Sequence, residues 1–156
     1  MSKKNPYLYR RLHWSTIKMA VEHLHYKIMK RQDVPTNIIG MSRGGLIPAV
    51  LLAHRLHIHK VSSFGASSYA DDKTSPDELS FYGSLPQEAL DCKGSGWLVV
   101  DDLVDTGATM QHMHQLLPLA KTACLLQNKQ APFLCDYYHR AKPHGIWIVF
   151  PWEFEK

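Results

Sequence analysis

The sequence predicts an α/β fold, a single domain in which a mainly parallel sheet is flanked by helices. Short apolar runs alternate with segments of helical periodicity along most of the chain, the pattern of repeated β–α units. Two turns built of small residues, SRGG at 42–45 and DTGAT at 105–109, each lead from an apolar run into a helical segment. The chain has 156 residues, 45% of them hydrophobic, enough for one core and too few for two.

Residues 14–29 put Ile17, Val21, Leu24 and Ile28 on one helical face, with Ser15 positioned as an amino cap. Residues 37–41 read as a short buried strand, 45–56 as a helix, and 60–64 and 97–100 as further strands. Residues 110–117 form a helical segment stopped by Pro118, and strands follow at 122–127 and 146–150. Residues 66–96 break this rhythm. They hold serines, aspartates, Pro76, Pro86 and three glycines without strong periodicity. A segment of that length inside a compact domain is either a lid or an ordinary insertion, and composition admits both.

The net charge of +4 and the pI near 9.0 suit an anionic small molecule and nucleic acid equally well. Cys92, Cys124 and Cys135 lack metal-type pair spacing, so reduced thiols in a cytoplasmic protein are expected. The basic start MSKKNPYLYRR has no apolar segment behind it, and no apolar run reaches the ~18 residues a membrane span needs.

The chemistry concentrates in LVVDDLVDTGAT, residues 98–109. Asp101 and Asp102 are hard oxygen donors suited to vicinal hydroxyls or to Mg2+. Asp105, Thr106, Gly107, Ala108 and Thr109 are small or hydroxylated and open a helix, so a phosphate can approach several main-chain amides at the positive end of the helix dipole. A capping role for Thr106 or Thr109 would leave the paired carboxylates unexplained. In SRGG, the glycines let the backbone turn tightly, and Arg43 with the helix-start amides can hold a diphosphate.

These residues resemble the 5-phosphoribosyl pyrophosphate (PRPP) signature of the type I phosphoribosyltransferases, in particular the xanthine-guanine branch. IIGMSRGGLIPAVLLAHRL at 38–56 is similar to that family's pyrophosphate loop and following helix, SSYADD at 67–72 to the start of its mobile loop, and WIVFPWE at 147–153 to its purine site. Lys129 falls where the family keeps a base-contacting lysine. The matches run from residue 14 to residue 153.

The resemblance implies a type I phosphoribosyltransferase-like fold over 1–156, with a lid at about 66–96 and a small carboxy-terminal hood for the base at about 127–153. It implies transfer of phosphoribose to guanine, xanthine or hypoxanthine, with Mg2+ as cofactor. Ser42, Arg43, Gly44, Ser68 and Tyr69 would contact PRPP, the Ser42–Arg43 peptide being cis. Asp101 and Asp102 would orient the ribose hydroxyls, with Asp102 also the metal ligand, and Thr106, Gly107, Ala108 and Thr109 would hold the 5′-phosphate. Asp105 would be the catalytic residue, accepting a proton from N7 of the base. Lys129 would donate to the 6-oxo group, Trp147 would stack on the ring, and the Ile148 main chain would read its edge. The loop arginine of the xanthine-guanine enzymes is replaced here by Ser75, Pro76 and Asp77, and Lys73 is the nearby cation. Members are commonly homodimers or homotetramers, for which the first helix and Phe150–Pro151–Trp152 offer apolar surface.

Other constellations are weaker. The pairs His57, His59 and His112, His114 bring no third or fourth ligand at zinc spacing. Asp-Thr-Gly-Ala also occurs in aspartic proteases, but those are all-β, whereas MQHMHQLL follows it here with helical character. A PRPP-binding regulator acting on nucleic acid, and a transferase for a pyrimidine or adenine, are the competing functions. Asp105, Lys129, Trp147 and Ile148 together favour the enzyme, which has PRPP and a 6-oxopurine rather than nucleic acid as partners.

Overall fold

The computed structural model describes residues 8–68 and 79–154. The elements are β1 (Leu8–Arg11), α1 (Trp14–Arg31), β2 (Asn37–Ser42), α2 (Leu46–Leu56), β3 (Val61–Ser68), β4 (Leu79–Tyr82), α3 (Gln87–Asp91), β5 (Trp97–Val104), α4 (Ala108–Leu116), β6 (Lys121–Gln127), β7 (Tyr137–Ala141) and β8 (Ile146–Val149). One sheet has the order β4-β3-β2-β5-β6-β7, parallel except for β4, which runs antiparallel along β3. This is the expected mainly parallel sheet with helices on both faces.

Both faces of the sheet are covered because its central strands are apolar on both sides. Along β5, Leu98 and Val100 join α1 and α2 in one core cluster, while Trp97, Val99 and Val104 join α3 and α4 in the other. On α1, Ile17, Ala20, Val21, Leu24 and Ile28 are buried at helical spacing against the first cluster. The chain enters the sheet at β2, works outward through β3 and β4, then returns to the centre at β5 and works outward the other way. The reversal lies between β2 and β5, and the crevice beyond their carboxyl ends is where ligands bind in such sheets.

Several expectations change. The strand read at 97–100 does not end there: β5 continues to Val104, its ladder with β6 carried on by Asp101↔Cys124 and Leu103↔Leu126, so both adjacent aspartates lie in the strand rather than in a turn. Helix α1 is capped at His13, without a side-chain bond, because Ser15 is already inside the first turn. Segment 66–96 is not uniformly irregular, since it contains the end of β3, β4 and α3. Phe81 of β4 stacks between Phe64 and His112, with ring centroids 6.0 and 3.7 Å away, which holds the strand over α4. The strand near the carboxyl end leaves the main sheet and pairs in parallel with β1, Tyr9↔Trp147 and Arg10↔Ile148, because β7 occupies the edge beside β6. Phe150 is buried and Trp152 stacks on it at 4.8 Å, so both close the core.

Cys92, Cys124 and Cys135 are free thiols. No described helix is long and apolar enough to cross a membrane.

One buried contact between α1 and β7 makes stability depend on pH. His23 Nδ1 and His139 Nδ1 are 3.0 Å apart, and His139 Nε2 is buried without a partner. Burial, then the Arg140, His23 and Lys27 charges, pulls His139 from 6.5 down to about 4, and burial with Lys27 and Arg140 lowers His23 as well. A depressed folded-state value means that the unfolded chain binds the proton first, so this stability is complete above 6.5 and is lost as pH falls from there toward 4. The Asp101–Asp102 pair, whose values are raised, tilts the other way. Comparison with a variant therefore isolates the imidazole. His139→Phe is expected to lose less Tm than the wild type between about pH 7 and about pH 5; equal losses would contradict the assignment.

Candidate active site

The crevice at the strand reversal is built first from the end of β2. The Ser42–Arg43 peptide is cis, as the resemblance implies. Gly44 follows, where a Cβ would fall inside the Asp102 carboxylate. The missing side chain is what lets that carboxylate lie against the turn. Gly45 is packed on main chain instead: a Cβ there would sit 2.6 Å from the Val100 carbonyl oxygen and 2.8 Å from the Asp101 Cα. Helix α2 starts at Leu46, with no side-chain cap at its amino end.

The end of β5 supplies the carboxylates. Asp101 Oδ1 accepts a hydrogen bond of 2.9 Å from the Asp102 main-chain N–H. Burial, followed by the Asp102 charge, raises the Asp101 carboxyl well above the usual carboxylate range, and burial raises Asp102. Two adjacent desolvated carboxylates suit a ligand that brings hydroxyl donors or a positive ion. The neighbouring Cys124 thiol is pushed up by its contact with Cys135 and by burial, which leaves it a core side chain rather than a nucleophile.

Beyond β5 the chain turns through Asp105, Thr106 and Gly107 into α4. Gly107 caps the helix in the left-handed region at φ 83°, which glycine adopts without strain and where it brings no side chain of its own. Thr106 Oγ1 accepts from the Ala108 N–H at 3.3 Å, and Thr109 lies in the first turn. Apart from that contact the described amino end of α4 carries no side-chain cap, the arrangement found where helix termini bind anions.

Asp105 is half exposed, and its carboxylate pairs with Lys142: Nζ to Oδ1 is 3.0 Å, with the lysine side chain only 16% exposed. Asn128 Nδ2 donates to the Asp105 carbonyl at 2.9 Å. Buried Gln127 ties down the connection beside it, donating to the Phe133 carbonyl at 3.0 Å and accepting from the Cys135 N–H at 3.0 Å. Phe133 in turn covers Gly107, its Cβ 3.0 Å from where a glycine Cβ would stand.

The other candidates lie around this centre. Lys129 is exposed and turned to Tyr138, its Nζ 2.7 Å from the phenol oxygen and 4.7 Å from the ring centroid. Trp147 on β8 is 57% exposed, whereas the Ile148 side chain is buried. Ser68 ends β3, paired with Leu79. Tyr69 and Lys73 lie outside the described residues. Lys142 and Asn128 were not singled out by the sequence reading. Both follow the carboxyl ends of parallel strands, and for Lys142 that signal depends on assigning β7.

The sequence matches the phosphoribosyl transferase domain over residues 12–156. The chain belongs to the phosphoribosyltransferase family. It is 31% identical to a xanthine-guanine phosphoribosyltransferase of Nitratidesulfovibrio vulgaris (strain DP4) over 91% of this chain and 83% of that protein. It is 33% identical to the enzyme of the same name from Idiomarina loihiensis, over 90% and 84%. The crystal structure of a purine phosphoribosyltransferase from Pyrococcus horikoshii covers 95% of each chain, with a TM-score of 0.72 and 30% identity. The phosphoribosyltransferase motifs at 38–56 and 98–109 therefore belong to a likeness that spans the chain.

Proposed function

We propose that this chain transfers the 5-phosphoribosyl group of PRPP to a 6-oxopurine (guanine, xanthine or hypoxanthine), yielding the nucleoside 5′-monophosphate and pyrophosphate in purine salvage. The observation that carries this reading is the meeting, at the strand reversal, of two adjacent half-buried carboxylates with two turns of small residues that each open a helix, Asp105 lying just beyond. The names of the relatives support the purine as acceptor.

In this reading Ser42, Arg43 and Gly44 hold the pyrophosphate, and Asp101 and Asp102 orient the ribose hydroxyls. Thr106, Gly107, Ala108 and Thr109 hold the 5′-phosphate on the α4 amino end. A ring nitrogen of the base bonds to C1 of the ribose as the C1–oxygen bond to pyrophosphate breaks, and Asp105 takes the N7 proton. The donor set fits Mg2+: adjacent desolvated carboxylates, and among the described residues no cluster of three His, Cys, Asp or Glu. That suits an ion which takes one or two carboxylates and completes its shell with water and substrate oxygens, Asp102 being the ligand. When bound, the ion offsets charge on the leaving pyrophosphate.

The lid that keeps water from the reacting sugar lies within segment 66–96, with Ser68 and Tyr69. Residues 127–153 form the base-binding region of one domain spanning 1–156. There Trp147 offers its exposed ring to the base, the Ile148 main chain reads the base edge, and Lys129 donates to the 6-oxo group. Assembly as a homodimer or homotetramer is supported by the exposed Trp14, Met19 and Tyr26 on α1, and a cytoplasmic site by the free thiols.

Incubation with PRPP and Mg2+ and each of guanine, xanthine, hypoxanthine and adenine tests the reading. Pyrophosphate release is expected with one or more of the 6-oxopurines; release with none of the four bases would overturn it.

A further inference from the structure

Helix α1, the two-stranded sheet and strands β6 and β7 enclose a cavity of about 60 Å³, walled by apolar side chains that include Leu12, Ile17, Leu125 and Ile148. It is separate from the crevice. No residue of the 42–45 turn, of 101–109 or of the 127–136 connection lines it. Ile148 is shared with the base region, but its side chain is buried while that of neighbouring Trp147 is exposed. Successive side chains of a strand point to opposite faces, so the cavity lies behind β8.

Two observations mark this cavity as a site. His139 lines it and is only 8% exposed. Its Nδ1 is engaged with His23, which stands outside the cavity, whereas its buried Nε2 has no partner. Such an atom is costly to bury unless a ligand pairs with it. The rim carries Arg10 and Arg140, both exposed, and neither forms an ion pair with a described carboxylate.

We propose that the cavity binds a small organic carboxylate, its apolar chain lying against α1 and β8 and its carboxylate facing His139 and the two arginines. A purely apolar molecule would leave Nε2 unpaired, and a cation would meet the Arg10, Arg140 and Lys27 charges. With an accepting ligand, His23 Nδ1–H donates to His139 Nδ1, and His139 donates from Nε2 to a carboxylate oxygen. A water-sized group takes about 10–15 Å³ of such space, so the cavity admits about four to six, which suits a four-carbon chain.

Butyrate is therefore the probe, with neutral butyramide for comparison, and the whole chain is titrated while histidine imidazole resonances are followed by NMR. Butyrate is expected to shift His139 and His23 saturably and to bind at least about 10-fold more tightly than butyramide, the contribution of charge-assisted hydrogen bonds. The shifts are expected to persist with PRPP and Mg2+ present. Arg10→Gln with Arg140→Gln is expected to weaken butyrate at least about 10-fold, and Thr16→Leu, which fills the cavity, to abolish its binding. Thermal unfolding identifies the folded variants. Shifts that never saturate, equal affinity for butyrate and butyramide, loss of the shifts with PRPP, or undiminished butyrate binding in either folded variant would overturn the proposal.

Discussion

Asp105→Asn is expected to lower kcat by about 10²- to 10³-fold, the usual contribution of a positioned general base, while PRPP binding changes by less than about threefold. The separation follows from where the side chain stands. Asp101 and Asp102 lie in β5 against the Gly44–Gly45 turn, whereas Asp105 lies past the strand end and faces the connection that follows β6. Its carbonyl keeps the Asn128 hydrogen bond in the variant, so the turn into α4 is retained. The amide is nearly isosteric but far less basic, and it also loses the ion pair with Lys142. Steady-state kinetics with calorimetric PRPP titration reads both quantities. Equal losses in turnover and PRPP affinity would make Asp105 a binding residue.

The second large effect separates two neighbouring glycines. At Gly44 an added methyl group collides with a carboxylate, and at Gly45 with main chain. Gly44 has an ordinary backbone conformation, so alanine strains nothing but the Asp102 side chain. Gly44→Ala is therefore expected to leave Tm within about 2 °C and to weaken PRPP binding roughly 10- to 100-fold, the loss of a hydrogen bond to a charged group. Gly45→Ala presses on the Val100 and Met41 carbonyls, which cannot swing aside. Overpacking of that kind costs about 1–3 kcal/mol, so Tm is expected to fall by roughly 2–10 °C. Thermal unfolding beside PRPP titration checks the pair, and a reversed pattern would show that Asp102 does not form the PRPP site.

The contrast between these residues explains what the sequence disclosed. The two turns were legible because small residues and carboxylates at strand ends have few structural uses, and the flanking apolar runs located β2, β3, β5 and β6. β1 was not legible: LYRR is exposed along its length, and only its pairing with β8 makes it a strand. β7 hid for a different reason. Its inward positions are Tyr137 and His139, a polar choice that spoils the apolar alternation although both are buried. With β7 unassigned, Lys142 had no strand end to belong to, and its ion pair with Asp105 was not foreseen. The reach of Asp101 and Asp102 into the strand was equally hidden, since acidic residues in a central strand run against propensity and are tolerated here at the crevice they serve.

The most direct test of the account is one competition. Equimolar guanine, hypoxanthine and adenine are offered with PRPP and Mg2+, and the nucleotides formed are separated and quantified beside released pyrophosphate. The account predicts 6-oxopurine nucleoside 5′-monophosphates equal in amount to the pyrophosphate, with adenosine monophosphate at the background level. Pyrophosphate without nucleotide, adenosine monophosphate as the main product, or no reaction would contradict it.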